Sequence, residues 1–400
     1  MQRHIMKNRR RTTVAKQRIS YLATVLFCIF FTGIGLPAVF QNPDGLHVST
    51  APEEKGVTLL FAGDLLCHRY LQESGHLPDG GYDFSPLFRE IRPLVEAADV
   101  AVLNQETLLA GEDFGLSGYP LFNAPTEMAD ALAECGFDVI LQATNHALDR
   151  GEKGLLYCRN YWKTAHPEVL LTGGASAPEE SDRVPILEKN GIKIAFLNMT
   201  YGTNGIPLPE NAGYLIDLLQ EDTAVRKIRK AREAADFVIV CPHWGEEYTT
   251  AISAEQKKYT ALFLKEGVDL VVGTHPHVLQ PVEEFTRPDG HRMTVFYSLG
   301  NLANSAAVTG TGICDRMIGG LAFLHIGKQE NGCVTIDKAD VIPTVTHLAP
   351  GYGGIVVYPL SAYSPALAEK NRFLRKRDPS FSYEYCLQHC RDILKEYVVL

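Results

Sequence analysis

The 400-residue chain is long enough for one large or two ordinary hydrophobic cores. With 46% hydrophobic and 21% charged residues, its composition excludes a disordered or fibrous chain. Seven positive charges (Arg3, Lys7, Arg9, Arg10, Arg11, Lys16 and Arg18) lie before residue 19; with a net charge of -9, the rest carries -16, which argues against nucleic acid as a partner.

Residues 19–40, ISYLATVLFCIFFTGIGLPAVF, carry no charged side chain and are about long enough to cross a membrane as one helix. The basic flank before them places the N-terminus in the cytoplasm and the main domain outside, as a single-pass cell-membrane protein. A cleaved signal peptide is the competing reading. The span is long for one, and Ala38, Val39 and Phe40 make a poor cleavage site, which favours an uncleaved signal-anchor. The expected organisation is a basic tail (1–18), a transmembrane helix (19–40), a linker (41–55), a main domain (56–350) and a helical C-terminal extension (351–400).

From residue 57, short β-rich runs alternate with helical patterns. Strands are expected at 57–62, 99–104, 138–142, 192–198, 236–241, 268–273, 293–298, 319–326 and 333–341. Helices are expected at 84–97, 126–136, 152–165, 219–235 and 254–266, the last opened by a capping box of Ser253 and Gln256. The alternation implies an α/β domain, and the strand-rich second half implies a second sheet packed on the first. After 365 the chain reads as helical, with an apolar stripe of Phe381, Tyr385, Leu387, Ile393, Leu394 and Tyr397. Nine cysteines show no CxxC pair, and Cys67, Cys135, Cys158 and Cys241 lie in apolar runs as buried small hydrophobes. Cys386 and Cys390, four apart, are awkwardly placed for a disulfide.

Five apolar runs end in residues that bind metals. Asp64 closes FAGD, Glu106 closes LNQE, Asn145 and His146 follow DVILQAT, His243 follows VIVCP, and His275 and His277 follow VDLVVGT. Each block has an ordinary alternative: Asp64 or Asn145 as a helix N-cap, Glu106 as a solvated loop acid. Together they place hard oxygens and imidazoles on the strand-end loops of one sheet edge, where α/β proteins bind ligands. His68, four residues after Asp64, is a further candidate ligand. His146 is placed to protonate a leaving group, with Asp149 to orient it. Tyr119, Phe122, Asn123, Tyr201, Tyr297 and Asn301 lie on neighbouring loops and are expected to form substrate walls.

The ordered blocks FAGDLL, LNQET, YPLFNAP, ATNHALDRG, HWGEEY, GTHPHVLQ and YSLGN resemble the CapA/PgsA family of bacterial capsule and poly-γ-glutamate synthesis proteins over about residues 57–305. That family is similar to the calcineurin-like metallophosphoesterases. The resemblance implies a four-layer αββα sandwich of two mixed sheets flanked by helices, preceded by the membrane span. It also implies two divalent cations (manganese, iron or zinc). Asp64, His68 and His277 would hold one, and Asn145, His243 and His275 the other, with Glu106 bridging. The chain departs from the metallophosphoesterase Asp-x-His start, because His68 stands four residues from Asp64. The implied substrate is an anionic surface polymer or phosphoester, cleaved by metal-assisted hydrolysis. The alternative is a non-catalytic polymer-binding or export component beside the subunits of a polymer synthetase complex.

Overall fold

A computed structural model describes residues 56–305, 312–348 and 354–400. The expected basic tail, membrane span and linker lie outside these residues. Among the described residues, no helix is long and apolar enough to cross a membrane.

The first half alternates as the apolar runs dictate: β1 (Val57–Leu65), α1 (Arg69–Ser74), α2 (Ser85–Phe88), α3 (Arg92–Ala97), β2 (Val100–Asn104), α4 (Glu127–Cys135), β3 (Val139–Leu141), α5 (Gly151–Ala165), β4 (Leu170–Thr172) and β5 (Ile186–Lys189). There follow β6 (Ile192–Thr200), α6 (Glu221–Ala234), β7 (Phe237–His243), α7 (Ala254–Glu266), β8 (Leu270–Val272), β9 (Val282–Thr286), β10 (Arg292–Phe296) and β11 (Asn301–Ala303). The chain closes with β12 (Ile318–Lys328), β13 (Val334–Leu348), β14 (Ile355–Pro359), α8 (Pro365–Lys370), α9 (Arg372–Arg377) and α10 (Tyr383–Leu394).

Two mixed sheets result. The first has the order β14-β13-β12-β1-β2-β3-β4, with β11 pairing on β1; the second has the order β5-β6-β7-β8-β10-β9. Strands β1 to β4 are mutually parallel, as are β6, β7, β8 and β10, so their carboxyl ends gather along one edge of each sheet. Side-chain alternation explains why the sheets stack. On β6, Ile192, Ile194 and Phe196 join the core shared with the first sheet. Ala195, Leu197 and Met199 face the other way, into a second core with Ala224, Ile228 and Ala231 of α6 and Phe263 of α7. Phe88, Val95, Leu132 and Trp162 of α2 to α5 pack into the core of the first sheet.

Polar bridges also join the sheets. Asn198 on β6 accepts from Ala143 N (2.6 Å), just past β3, and donates to Cys241 O on β7 (2.8 Å). Asn198→Ala leaves the buried Ala143 N–H without its acceptor, at about 1–3 kcal/mol, while Cys241 O keeps its place in the β6–β7 ladder. We expect urea unfolding to show a loss of roughly 1–3 kcal/mol on that basis; a loss within experimental error would rule out the bridge as a structural tie.

Several expectations need correction. The helix expected at 84–97 is two short ones, each with a proline in its first turn (Pro86 and Pro93). The last strand expected, 333–341, runs on to Leu348. The segment 351–400 is not wholly helical, because β14 completes the edge of the first sheet. The anticipated stripe faces inward, though only its middle lies on α10: Phe381, before it, and Leu394 are buried, and Tyr385, Leu387, Ile393 and, beyond the helix, Tyr397 pack against the core. The Ser253–Gln256 capping box forms in both directions (2.8 and 3.1 Å). Cys67, Cys135, Cys158 and Cys241 are buried free thiols, and Cys386 and Cys390 form no disulfide.

Candidate metal centre

The strand ends bring Asp64, Glu106, Asn145, His146, His243, His275 and His277 into one buried cluster. The backbone accounts for the convergence. Past β10 the chain leaves the second sheet, turns at Gly300 (φ 64°) and pairs as β11 with β1, so that Asn301 stands opposite Asp64. Gly63 permits this, since a Cβ there would overlap Gly300 O. His275 (φ 97°) and His277 (φ 59°) both adopt the left-handed region. This bends the extended alternation expected of an HxH segment, and both rings turn toward the cluster, 5.8 Å apart.

Asp64 accepts from Asn104 Nδ2 (2.7 Å) and His275 N (3.1 Å), and its Oδ2 lies 3.2 Å from His277 Nδ1. His277 Nδ1 also lies 3.0 Å from Asn301 Oδ1. His243 Nδ1 meets Thr274 Oγ1 (2.9 Å), and its Nε2 lies 2.9 Å from Asn145 Oδ1. Glu106 sits between the two halves: its Oε1 is 3.5 Å from His277 Nε2 and 3.7 Å from His243 Nε2. Its two carboxylate oxygens are buried without a hydrogen-bond partner, as is His275 Nδ1.

Electrostatics follow from burial. Desolvation drives the Glu106 carboxyl well above its ordinary pKa, against the pull of His277. Desolvation, then the neighbouring histidine charges, pushes His243 well down and His275 to about 3. Burial also opposes charge on His277, but Glu106 and Asp64 outweigh it and hold that ring at about 9. A buried carboxyl without a hydrogen-bond partner, beside the neutral imidazoles of His243 and His275, is costly on its own and is what a bound cation would satisfy.

Candidate ligand atoms form two triads that share one residue. Asp64, Glu106 and His277 make one; Glu106, His243 and His275 make the other; within each, the ligand atoms lie no more than 4.8 Å apart. Asn145 stands beside the second through His243. A third grouping adds the exposed Glu247 to His275 and His277. His68 belongs to none of the three. It caps α1 through its backbone, and its ring meets Phe122 edge-on at 5.0 Å. Its ring therefore borders the site without joining a ligand group; burial, then the charges of His277, His146 and Arg316, lowers its pKa to about 4.

His146 Nδ1 lies 2.7 Å from Asp149 Oδ2, which also accepts from Phe122 N (2.6 Å). Phe122 shields the imidazole edge-on at 4.7 Å. Of the expected substrate walls, exposed Tyr119 and half-exposed Tyr201 flank the site, with Tyr201 4.7 Å from the His275 ring. Three others serve differently. Asn123 is buried and ties its own loop, accepting from Ala110 N and donating to Gly111 O and Gly115 O. Asn301 donates to His277 O and Arg316 O, so it positions His277 rather than substrate. Tyr297 points away: its parity on the strand end sends it to the helix-covered face, where it stacks on Trp244 and bonds Glu283.

Sequence reasoning passed over Asn104, Thr274, Asn204, Glu247, Tyr248 and Arg316. Asn204 bonds Asn145 Nδ2 (3.2 Å) and lies 3.4 Å from both His146 ring nitrogens. Tyr248 (φ 63°) lies 5.8 Å from the His277 ring, and the Arg316 guanidinium covers its face at 3.5 Å. A signal was available for Glu247 and Tyr248, which close the HWGEEY block, and for Asn104 in LNQE; Arg316 lies outside every block.

Fold and site together define a two-sheet α/β protein with a carboxylate–histidine centre able to hold metal at its strand ends. The chain belongs to the family described as bacterial capsule synthesis protein PGA_cap, whose profile matches residues 58–306. The capsule biosynthesis protein CapA of Bacillus anthracis is 28% identical over 334 residues, covering 80% of this chain and 76% of that one. The PGA biosynthesis protein CapA of Bacillus subtilis (strain 168) is 25% identical over 284 residues, 70% of each chain. Among solved structures, the NAD nucleotidase NadN of Haemophilus influenzae matches with a TM-score of 0.44 at 14% identity, over 84% of this chain and 67% of that one. The calcineurin-like phosphoesterase YfkN of Bacillus subtilis matches with a TM-score of 0.38 at 12% identity, over 83% and 100%.

Proposed function

We propose that this chain is a membrane-anchored, extracytoplasmic protein of capsule, poly-γ-glutamate or related surface-polymer synthesis, and that its centre is a dinuclear hydrolase site. The observation carrying the reading is Glu106, a buried carboxylate without a hydrogen-bond partner, shared by two ligand triads. Asp64, Glu106 and His277 would hold one divalent cation. Glu106, His243 and His275, with Asn145 beside them, would hold the other. Manganese, iron and zinc all suit this mixed donor set. Such ions, when bound, activate water and stabilise the charge that develops on a phosphoryl or carbonyl group.

The remaining work falls to side chains. Asp149 fixes His146 through Nδ1, which leaves Nε2 to deliver a proton to the departing group. Phe122 keeps water from that ring, while Tyr201 and Tyr119 flank the approach to it. Thr274 and Asn301 fix the orientations of His243 and His277. The substrate is a phosphoester or an amide-linked anionic polymer. The apolar run at 19–40, with its basic flank, supports the membrane placement.

Metal analysis of the purified full-length chain tests the reading, followed by turnover of phosphodiesters and γ-glutamyl polymers. Loss of bound metal and activity in His243→Ala and His275→Ala is expected; unchanged activity in both would sink it. A second reading, a non-catalytic polymer-binding or export component, draws on the relatives, which are named for biosynthesis. It predicts co-purification with synthetase subunits from membranes and no turnover by the isolated chain.

A further inference from the structure

A cavity of about 470 Å³ lies where the two sheets open at their edges, between β4 of the first and β5 of the second. It is within the size range of small-molecule sites. Two strands supply apolar walls, Leu170 and Leu171 from β4 and Ile186 and Leu187 from β5, while Lys163, Glu168, Glu180 and Arg183 add charged side chains to the lining. Its lining includes Arg159 of α5, a residue absent from the metal centre and 3% exposed.

Arg159 is an unusual buried cation. Its Nε donates to Gln142 Oε1 (3.2 Å) and its Nη1 to Ala175 O (2.6 Å). Both acceptors are neutral. Nη2 is buried and has no partner. Burial lowers the pKa only to about 10, so the guanidinium stays charged at neutral pH. The free nitrogen lies beside Gly174, which also lines the cavity: a Cβ on Gly174 would stand 3.0 Å from it. A buried guanidinium nitrogen without an acceptor carries the full desolvation penalty of that group.

We propose that this cavity is a binding site for a small monocarboxylate with an apolar tail, whose carboxylate accepts from Arg159 Nη2 and whose tail lies on the β4 and β5 leucines. The charges around it set the class. Lys163 is engaged with Glu180 (3.4 Å), and Glu168 and Arg183 also line the cavity, so that with Arg159 its charged residues leave one net positive charge, which suits a singly charged ligand over a doubly charged phosphate. One free donor nitrogen suits one carboxylate. The site stands apart from the metal centre, so it does not depend on the hydrolase reading.

The probe is sodium hexanoate, titrated calorimetrically into the metal-stripped full-length chain at constant ionic strength, with hexanol as the neutral control. Saturable binding of hexanoate, with hexanol weaker, is expected. Losing a charged hydrogen bond in Arg159→Met should weaken hexanoate by about tenfold or more. Leu187→Trp, a change on a partly exposed edge strand, should abolish binding by filling the cavity, and it decides the matter if Arg159→Met does not fold. Glu106→Gln should bind hexanoate like the wild type. Absence of saturable binding, equal binding of hexanol, persistence in Leu187→Trp, or loss in Glu106→Gln would each overturn the assignment.

Discussion

Manganese or zinc ions added to the metal-stripped chain are expected to raise its melting temperature, and Glu106→Gln is expected to remove that rise. The reason lies in what Glu106 lacks. Both its oxygens are buried without a hydrogen-bond donor, and its nearest ring nitrogens stand at 3.5 and 3.7 Å, beyond a good hydrogen bond. Without a cation, this arrangement destabilises the fold; with one, the same oxygens become ligands to both triads. A ligand that binds only the folded state at a thousandfold excess over its Kd adds about 4 kcal/mol. For a domain of this size that is a rise of roughly 5–10 °C. The amide in Glu106→Gln keeps the shape and removes the charge, so the metal-free variant should be at least as stable as the metal-free wild type. Thermal scans with and without the ion measure both effects. No rise in the wild type, or an equal rise in the variant, would contradict the shared-ligand role of Glu106.

The parts of the fold that were legible in the chain are those in which chemistry and apolar pattern coincide. β1, β2, β3, β7 and β8 are continuous apolar runs because they are covered on both faces, and each run ends in a residue of the cluster. Strands β4, β5 and β9 carry no such signal. They are edge strands of three to five residues, half-exposed, and VEEFT of β9 reads as polar surface. The three-residue β11 is visible only once β1 is there to pair with it, so the second role of Asn301 stayed hidden. Tyr297 shows the converse. Its place at a strand end made it a plausible wall, but one step in parity from Phe296 carries it to the opposite face. His68 illustrates spacing: four residues after Asp64 the chain has already begun α1, and the imidazole is left at the border of the site. Arg316 reaches the site from a short turn between β11 and β12, which no local pattern announces.

Asp149→Asn is expected to reduce turnover by about a hundredfold, the lower range for a positioned proton donor, while leaving metal content unchanged. Asp149 touches no member of the two triads, so its carboxylate does not enter ion binding. It holds His146 instead, at 2.7 Å, and the same oxygen accepts from Phe122 N. An amide cannot offer one oxygen to both donors with the strength of a carboxylate, so the ring loses its fixed orientation and Nε2 its aim. The effect should fall on kcat rather than KM, because the proton is needed only as the leaving group departs. A general loosening of the 115–125 loop would instead raise KM and lower stability. A double-mutant cycle separates the two accounts. In a His146→Ala background the imidazole is already gone, and Asp149→Asn should then cost little further activity. Equal losses from Asp149→Asn in both backgrounds would mean that Asp149 acts through the Phe122 loop and not through His146, and the assignment of His146 as proton donor would lose its positioning partner.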